Sequence, residues 1–582
     1  MPLRKVDLHV HSEYSEIKKG VLKTIIHSES YTPPKQVYRI AKKRGMDFVT
    51  ITDHDSILGA LEIAHLDDVF ISEEVTVTFP EDGCQIHVVA LNINERQHEE
   101  IQRLKDNIYE LVRYFSLERI IHFVAHPFSS VNGKLKPENW EKMLLLFDVF
   151  EVRNGVQKEK DNCLLEKILQ NLTPEKIEEL SNRYNLSPVS STPWKKSMVG
   201  GSDDHGGLYI GETYTVGEGE GIEDFLISIK EGRSKPGGKS GTSLTIGRSI
   251  YATGYKFYKY RLKGKKISGI FDNIVIGRIK GRFLEKLFFK RKKIVSLFFK
   301  GFLLSYFIRH FSKRMHFLHT VRSVRKINKN LPLYTALFPY LFGLAYQNKD
   351  RNFLWRVKKH YLNQEEPLKV AIFVDINDNF LSFSLPDNLP LSKKEKMEII
   401  CCSKKENFST NGIKVFSSVT NFPFPLFPEI RLYIPSLLEI LFYCEEKEFT
   451  MIHTLTPGPM GVAGVLTSKI LNLPVVGVYN RNFSSFIQYF DGSSSLKRVL
   501  WRYFSWYYSQ MQAIIVTSKE YIGELREKNI PSERIKLLSI KEGEKLSSTP
   551  ADLFSPNEWL KSIFQEDVSI KLWEIYKQIA YS

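Results

Sequence analysis

The chain has 582 residues, 42% of them hydrophobic and 25% charged, which excludes a disordered or low-complexity protein. Its formal charge of +16 is uneven: residues 251–360 carry 27 Lys and Arg against three acids (Asp272, Glu285, Asp350), a net of +24, so the remainder sums to −8. Five cysteines (Cys84, Cys163, Cys401, Cys402, Cys444) at no metal-like spacing point away from a disulfide framework or a zinc ribbon, and free thiols suit a reducing cytosol.

Met1–His11 lacks the apolar core of a signal peptide. Residues 1–245 alternate short β-rich runs (Phe48–Thr52, Val75–Phe79, Ile86–Leu91, Ile120–Ala125, Val149–Val152) with helical stretches such as Pro34–Arg44 and Gln97–Phe115. That alternation predicts an α/β layout with a parallel sheet or barrel. The turn-rich Lys235–Gly241 closes the zone. Residues 246–365 are basic and aromatic, with helices expected at Phe283–Ser312 and Met315–Ile327. Ile294–Ile308, interrupted by Lys300, is too short and polar to span a bilayer. Residues 366–545 return to buried strands, at Leu368–Val374, Lys414–Phe416, Thr450–His453, Val475–Val478 and Ala513–Val516, and 546–582 form a helical tail.

Chemistry concentrates in the first zone. Asp7-Leu-His9-Val-His11 opens the chain, and two His at i and i+2 on a strand share one face. Thr52-Asp53-His54-Asp55, Glu73-Glu74, His87, Ala125-His126-Pro127 and Asp203-Asp204-His205 follow at successive strand ends. In an α/β barrel the strand ends form one rim, so six imidazoles and several carboxylates would meet there as a site for divalent metals. His27, His65, His98 and His122 read as ordinary structural residues.

On these motifs the first zone resembles the PHP (polymerase and histidinol phosphatase) superfamily. The resemblance implies a distorted seven-stranded β/α barrel holding two or three divalent ions (Mn, Zn or Fe). It implies that His9, His11, Glu74 and Asp203 share one metal, that Glu74 bridges to a second held by His87 and His126, and that His54, His205 and Glu16 hold a third. Glu73 competes with Glu74 for the bridge. The implied reaction is hydrolysis of a small phosphoester by a metal-bridging hydroxide, with Glu74 and Asp203 in the catalytic centre. Arg153, in Glu151-Val-Arg-Asn-Gly155, could fork onto a phosphate or form a structural ion pair, and Lys196 is a weaker candidate of the same kind.

The third zone, with Ile452–Gly461, Asn472–Tyr479 and Gln512–Ser518, resembles the acceptor-side Rossmann-like domain of group-1 (GT-B) glycosyltransferases. It departs from them in a Gly-free loop, Asp375-Ile-Asn-Asp-Asn-Phe380, and in Asn480 where the family has His. The residues after this zone are too few for a donor-binding second domain. Sugar transfer is therefore doubtful unless a separate glycosyltransferase chain completes it in envelope polysaccharide or glycolipid synthesis. The basic middle, 251–360, suits an anionic membrane surface, with interdomain packing close behind and nucleic acid least favoured. The expected location is cytoplasmic, peripheral on the inner face of the membrane. The main reading is a metal-dependent phosphoesterase, and the alternative is the glycosyltransferase component.

Overall fold

A computed structural model describes residues 1–15, 28–261, 331–375, 396–404, 408–410, 412–424, 427–479, 494–538 and 566–580. The chain forms two compact units, Met1–Lys280 with Phe338–Glu365, and Gly281–Leu337 with Glu366–Ser582. The expected helices at 283–312 and 315–327, the loop at 376–380, Asn480 and Glu16 lie outside the described residues.

Among the described residues the first unit holds eight strands: β1 (Leu3–Val6), β2 (Ser72–Thr78), β3 (Gln85–Leu91), β4 (Ile121–Ala125), β5 (Val149–Asn154), β6 (Ser197–Gly201), β7 (Thr213–Glu218) and β8 (Lys235–Gly238). They make a three-stranded sheet ordered β1-β7-β8 and a five-stranded sheet ordered β2-β3-β4-β5-β6. The sheets are mixed: β2, β3 and β4 pair antiparallel, whereas β4, β5 and β6 pair parallel. Among the described residues the two sheets are not joined into one seven-stranded ladder. Isolated bridges, Val10 to Asp204, Val49 to Val69 and His54 to Glu74, stand where the expectation places strands. Thus β1 ends at Val6, before His9, and Phe48–Thr52 is no strand. The physical reason lies in the backbone: Asp55 (φ 50°) and Asp203 (φ 51°) adopt left-handed conformations that a regular ladder does not accept.

The expected helix at Gln97–Phe115 is two helices, Glu95–Leu104 and Ile108–Leu117. Asn107 breaks it, its side chain accepting from the Tyr109 amide at 3.1 Å. The two helices and those at Pro137–Leu146 and Glu159–Gln170 cover one face of the five-stranded sheet with Ile101, Leu111, Phe115, Trp140 and Ile168.

The expected connector does not begin at 246. The Ser243–Arg261 helix and the segment 338–365 belong to the first unit. Phe353 and Val357 join its core. Asp350 accepts from the Ser130 amide at 3.0 Å, and Gln347 donates to the Val156 carbonyl at 3.0 Å. These contacts require a return of the chain across a long sequence gap, which composition does not reveal.

In the second unit, β9 (Lys369–Phe373), β10 (Lys396–Ser403), β11 (Phe408–Thr410), β12 (Ile413–Ser417), β13 (Thr420–Phe424), β14 (Phe427–Ile434), β15 (Met451–Thr454), β16 (Val475–Tyr479), β17 (Ala513–Val516) and β18 (Ile535–Leu537) follow in order. Their main sheet runs β11-β12-β10-β9-β15-β16-β17-β18, parallel except for β11. This is the doubly wound arrangement expected of a Rossmann-like domain. The Glu566–Ala580 helix packs Leu572, Trp573 and Tyr576 into its core, and the Tyr576 hydroxyl meets buried His453.

Separate cores predict separate responses. Trp140→Ala should cost about 3–5 kcal/mol in the first unit, and Trp573→Ala a similar amount in the second. Urea unfolding followed by hydrogen exchange within each unit checks this; both variants loosening the same segments would contradict it.

Candidate metal centre

The site is built around one carboxylate. Glu74 lies on β2 and is fully buried. Its Oε1 stands 2.7 Å from His87 Nδ1 and 3.2 Å from His126 Nε2. Its Oε2 stands 2.9 Å from His54 Nδ1 and 3.3 Å from both His9 Nε2 and His11 Nε2. Asp203 Oδ1 lies 3.5 Å from His11 Nε2, 3.7 Å from His9 Nε2 and 3.6 Å from His205 Nδ1. The structure therefore brings together eight of the nine residues expected to ligate metal; the ninth, Glu16, is outside the described residues. Of the adjacent pair, Glu74 enters the cluster. Glu73 instead faces His98 Nδ1 at 2.9 Å and accepts from Gln102 at 2.8 Å.

Local backbone aims these groups. His126 (φ 29°) and Asp203 sit in the left-handed region, uncommon for residues with a side chain. The His126 amide donates to Glu151 Oε2 at 2.8 Å, and the Asp203 amide to the His9 carbonyl at 2.7 Å. In β5 the pairing with β6 shifts between Glu151 and Arg153, a bulge. The extra residue puts Glu151 and Asn154 on one face, where Asn154 Nδ2 donates to Glu151 Oε2 at 2.9 Å and Asp203 Oδ2 at 3.2 Å.

The same bulge corrects the reading of Arg153. Its guanidinium donates to the Gly238 carbonyl at 3.1 Å and stands 4.0 Å from Glu159, away from the imidazoles. Lys196 is structural too: its buried ammonium donates to the carbonyls of Leu144 (2.7 Å) and Phe147 (2.6 Å). Burial lowers it to about 8.

Three acids and an amide to which the sequence reading gave no ligand or catalytic role matter here. Glu151 Oε1 stands 3.1 Å from His9 Nδ1, turning Nε2 toward Glu74. Glu29 Oε2 lies 3.5 Å from His54 Nε2 and 3.6 Å from His205 Nε2, beside the pair expected to meet Glu16. Asp53 accepts from the Ser12 amide and hydroxyl, both at 2.6 Å, holding the loop after His11. Asn154 completes the set. The Glu151–Asn154 stretch was visible at a strand end, but only the bulge decides which side chains face inward. Nothing in Ser28-Glu29-Ser30 distinguishes Glu29.

The electrostatics are unusual for a protein interior. Burial alone would raise the Glu74 carboxyl, yet the imidazoles, His87 and His54 foremost, hold it well below the usual range. Asp203 is likewise lowered against its burial, chiefly by His9 and His11. Burial and neighbouring His205 push His11 well below an ordinary imidazole.

His9 Nε2, His11 Nε2, His54 Nδ1, His126 Nδ1 and Glu74 Oε2 are buried without a hydrogen-bond partner. Each such atom costs about 1–3 kcal/mol, so the cluster does not satisfy itself. Its donor atoms form four groups within 4.8 Å: His9–His11–Glu74, His9–His126–Asp203, His54–Glu74–His87 and His11–His54–His205. Imidazole plus carboxylate donors in this arrangement fit divalent cations. The expected associations recur in this geometry: His9 and His11 with Glu74, His54 with His205, and His87 with His126, whose Nδ1 and Nε2 face the same Glu74 oxygen and lie 3.4 Å apart.

In the second unit the strand order reverses between β9 and β15. There the buried Asp375 carboxylate accepts from Thr456 Oγ1 at 2.6 Å and from the Met460 amide at 2.9 Å, at the start of the Pro459–Leu471 helix. Burial raises Asp375 to about 6. A Cβ on Gly458 would come within 2.6 Å of Asp375 Cγ, so the loop needs Gly for this approach.

Comparison with known proteins bears on the two units differently. Residues 394–539 match the family model Glycosyltransferase Family 4. The second unit is thus glycosyltransferase-like, in keeping with its parallel sheet. An uncharacterized protein of Methanocaldococcus jannaschii is 27% identical over 181 residues, covering 29% of this chain and 93% of that protein. Among solved structures, PsfC from Pseudomonas syringae is similar with a TM-score of 0.26 at 14% identity, covering 45% of this chain and 100% of PsfC. A protein named as a candidate metal-dependent phosphoesterase from Bifidobacterium adolescentis is similar with a TM-score of 0.21 at 16% identity, covering 34% of this chain and 87% of its own.

The packing around His9 yields a test. A Cβ on Gly201 would collide with His9 Cβ and come within 2.7 Å of its amide nitrogen. Gly201→Ala should therefore destabilise the first unit by about 1–3 kcal/mol. Thermal melting checks this, and an unchanged midpoint would show that His9 is not held as described.

Proposed function

We propose that the first unit is a PHP-type phosphoesterase loaded with two or three divalent cations (Mn, Zn or Fe). One observation carries the reading: a buried carboxylate ringed by five imidazoles, three of whose inward nitrogens (His9 Nε2, His11 Nε2 and His54 Nδ1) lack hydrogen-bond partners. His9, His11, His54, His87, His126, His205, Glu74 and Asp203 would hold the ions, with Glu29 beside His54 and His205. When bound, divalent cations neutralise phosphoryl oxygens and activate water at neutral pH.

The chain's own groups do the rest. Glu151 orients His9 through Nδ1 and fixes the His126 backbone. Asn154 holds Asp203. Lys349, whose ammonium donates to the Ser130 carbonyl at 2.8 Å, lines the cavity above the cluster and takes the phosphate-orienting place first assigned to Arg153.

The family match favours a second reading, and it does so more strongly than any comparison favours the first: a glycosyltransferase component acting with a separate donor-binding chain. The two readings concern different units. Asp375 occupies the helix start at the switch point, where an anionic group is well placed, which suits a module that does not act alone. No helix among the described residues is long and apolar enough to cross a membrane. The charge of residues 251–360 suits peripheral contact with an anionic cytoplasmic membrane face.

Hydrolysis of 4-nitrophenyl phosphate should require added Mn and stop on chelation. Glu74→Ala or His9→Ala should lower it by more than about 100-fold, and Glu151→Gln by about 10–100-fold. Full activity in the His9 variant would overturn the reading. Sugar transfer by the full chain should appear only with a donor-binding partner; transfer by the chain alone would contradict the second reading.

A further inference from the structure

The cavity above the imidazoles has a volume of about 680 Å³, far more than a phosphate group needs. Its floor is His54, His87, His126, Asp203 and His205. Its upper wall comes from the Ser243–Arg261 helix and from Leu331–Asn348, both outside the zone in which the site motifs lie. Ile246, Ile250 and Phe257 line it from the first, and Phe342 and Tyr346 from the second. Phe342 is 45% exposed, and its ring stacks on Tyr346 with centroids 6.1 Å apart.

This wall is built in. Lys256 donates to Thr32 Oγ1 at 2.7 Å and to the Gly206 carbonyl at 2.8 Å. Thr253 Oγ1 donates to the His205 carbonyl at 3.3 Å, and the Tyr251 and Tyr340 rings pack at 5.6 Å. Among the described residues lining the cavity, Lys349 is the one Lys or Arg. One ammonium suits a single phosphoryl group better than a polyphosphate, which calls for several cations and a fork of guanidinium donors. Aliphatic and aromatic side chains opposite the metal donors favour a substrate with an apolar alcohol.

We propose that the substrate is a phosphoester of an apolar alcohol, alkyl or aryl, with its phosphoryl group on the imidazole floor and its organic group against Ile250, Phe257 and Phe342. This names the substrate class of the same site and rests on the phosphoesterase reading. Water attacks phosphorus, the P–O bond to the alcohol breaks, and the alcohol leaves with a proton as inorganic phosphate forms.

The full chain loaded with Mn is tested in two ways. Phosphate release should give a kcat/KM about 100-fold or more higher for octyl phosphate than for glycerol 3-phosphate, the gain of burying three to four methylenes. 1-Naphthyl phosphate against octyl phosphate tells an aryl group from an alkyl chain; either one preferred over glycerol 3-phosphate supports the proposal. Calorimetry on the wild type should show octylphosphonate binding about 100-fold tighter than methylphosphonate, and Ile250→Asp should cut that ratio at least about tenfold. Turnover without an apolar preference overturns this proposal and leaves the phosphoesterase reading standing. An apolar preference in binding with no turnover of any ester keeps the apolar pocket but overturns the phosphoesterase reading and the substrate assignment with it. Equal binding of the two phosphonates overturns the proposal whatever the turnover.

Discussion

Everything in the first unit turns on placing a negative charge where no water reaches it. The Glu74 carboxylate is buried, and an isolated charge there would cost many kcal/mol or neutralise itself. Instead five imidazoles face its two oxygens, and a second carboxylate, Asp203, stands beside two of them, His9 and His11, and beside a sixth, His205. Neutral imidazoles offer one donor and one acceptor each, so such a ring cannot pair every nitrogen internally. The surplus of inward acceptors is the property that a cation centre uses.

Holding that ring requires unusual backbone. Left-handed Asp55, His126 and Asp203 interrupt what would otherwise be regular strands, and the β5 bulge turns Glu151 and Asn154 inward. These features spoil the ladder that a closed barrel would have and leave isolated bridges in its place. At the rim Glu151 accepts from the His126 backbone amide, and Asn154 donates to the Asp203 carboxylate.

The second unit resolves a related problem differently. At its switch point the positive end of a helix is met by the chain's own Asp375, with Thr456 and two glycines shaped around it. A fold that commonly presents such a helix end to a phosphate here satisfies it internally. Glycosyltransferase likeness over residues 394–539 and self-occupation of this position are thus features of one domain.

The histidine and carboxylate motifs were legible in the sequence because chemistry-bearing residues at strand ends need little geometry to be noticed. His9-x-His11, His54, His126 and Asp203-x-His205 all enter the cluster, as does Glu74 rather than Glu73. In the second unit β9, β12, β15, β16 and β17 were equally legible, since buried parallel strands read as continuous apolar runs, whereas β10, which pairs between β9 and β12, was not expected from the sequence. Arg153, Glu151, Glu29 and the closing helices were not. Which way Arg153 points depends on a one-residue register shift, and a period-2 pattern carries no trace of it until pairing is known. Glu29 and Phe342 reach the site through contacts distant along the chain, and only three-dimensional packing decides such meetings. Residue types announced a cluster of imidazoles and carboxylates, whereas tertiary structure alone determined its wall, the ammonium beside it and its shape.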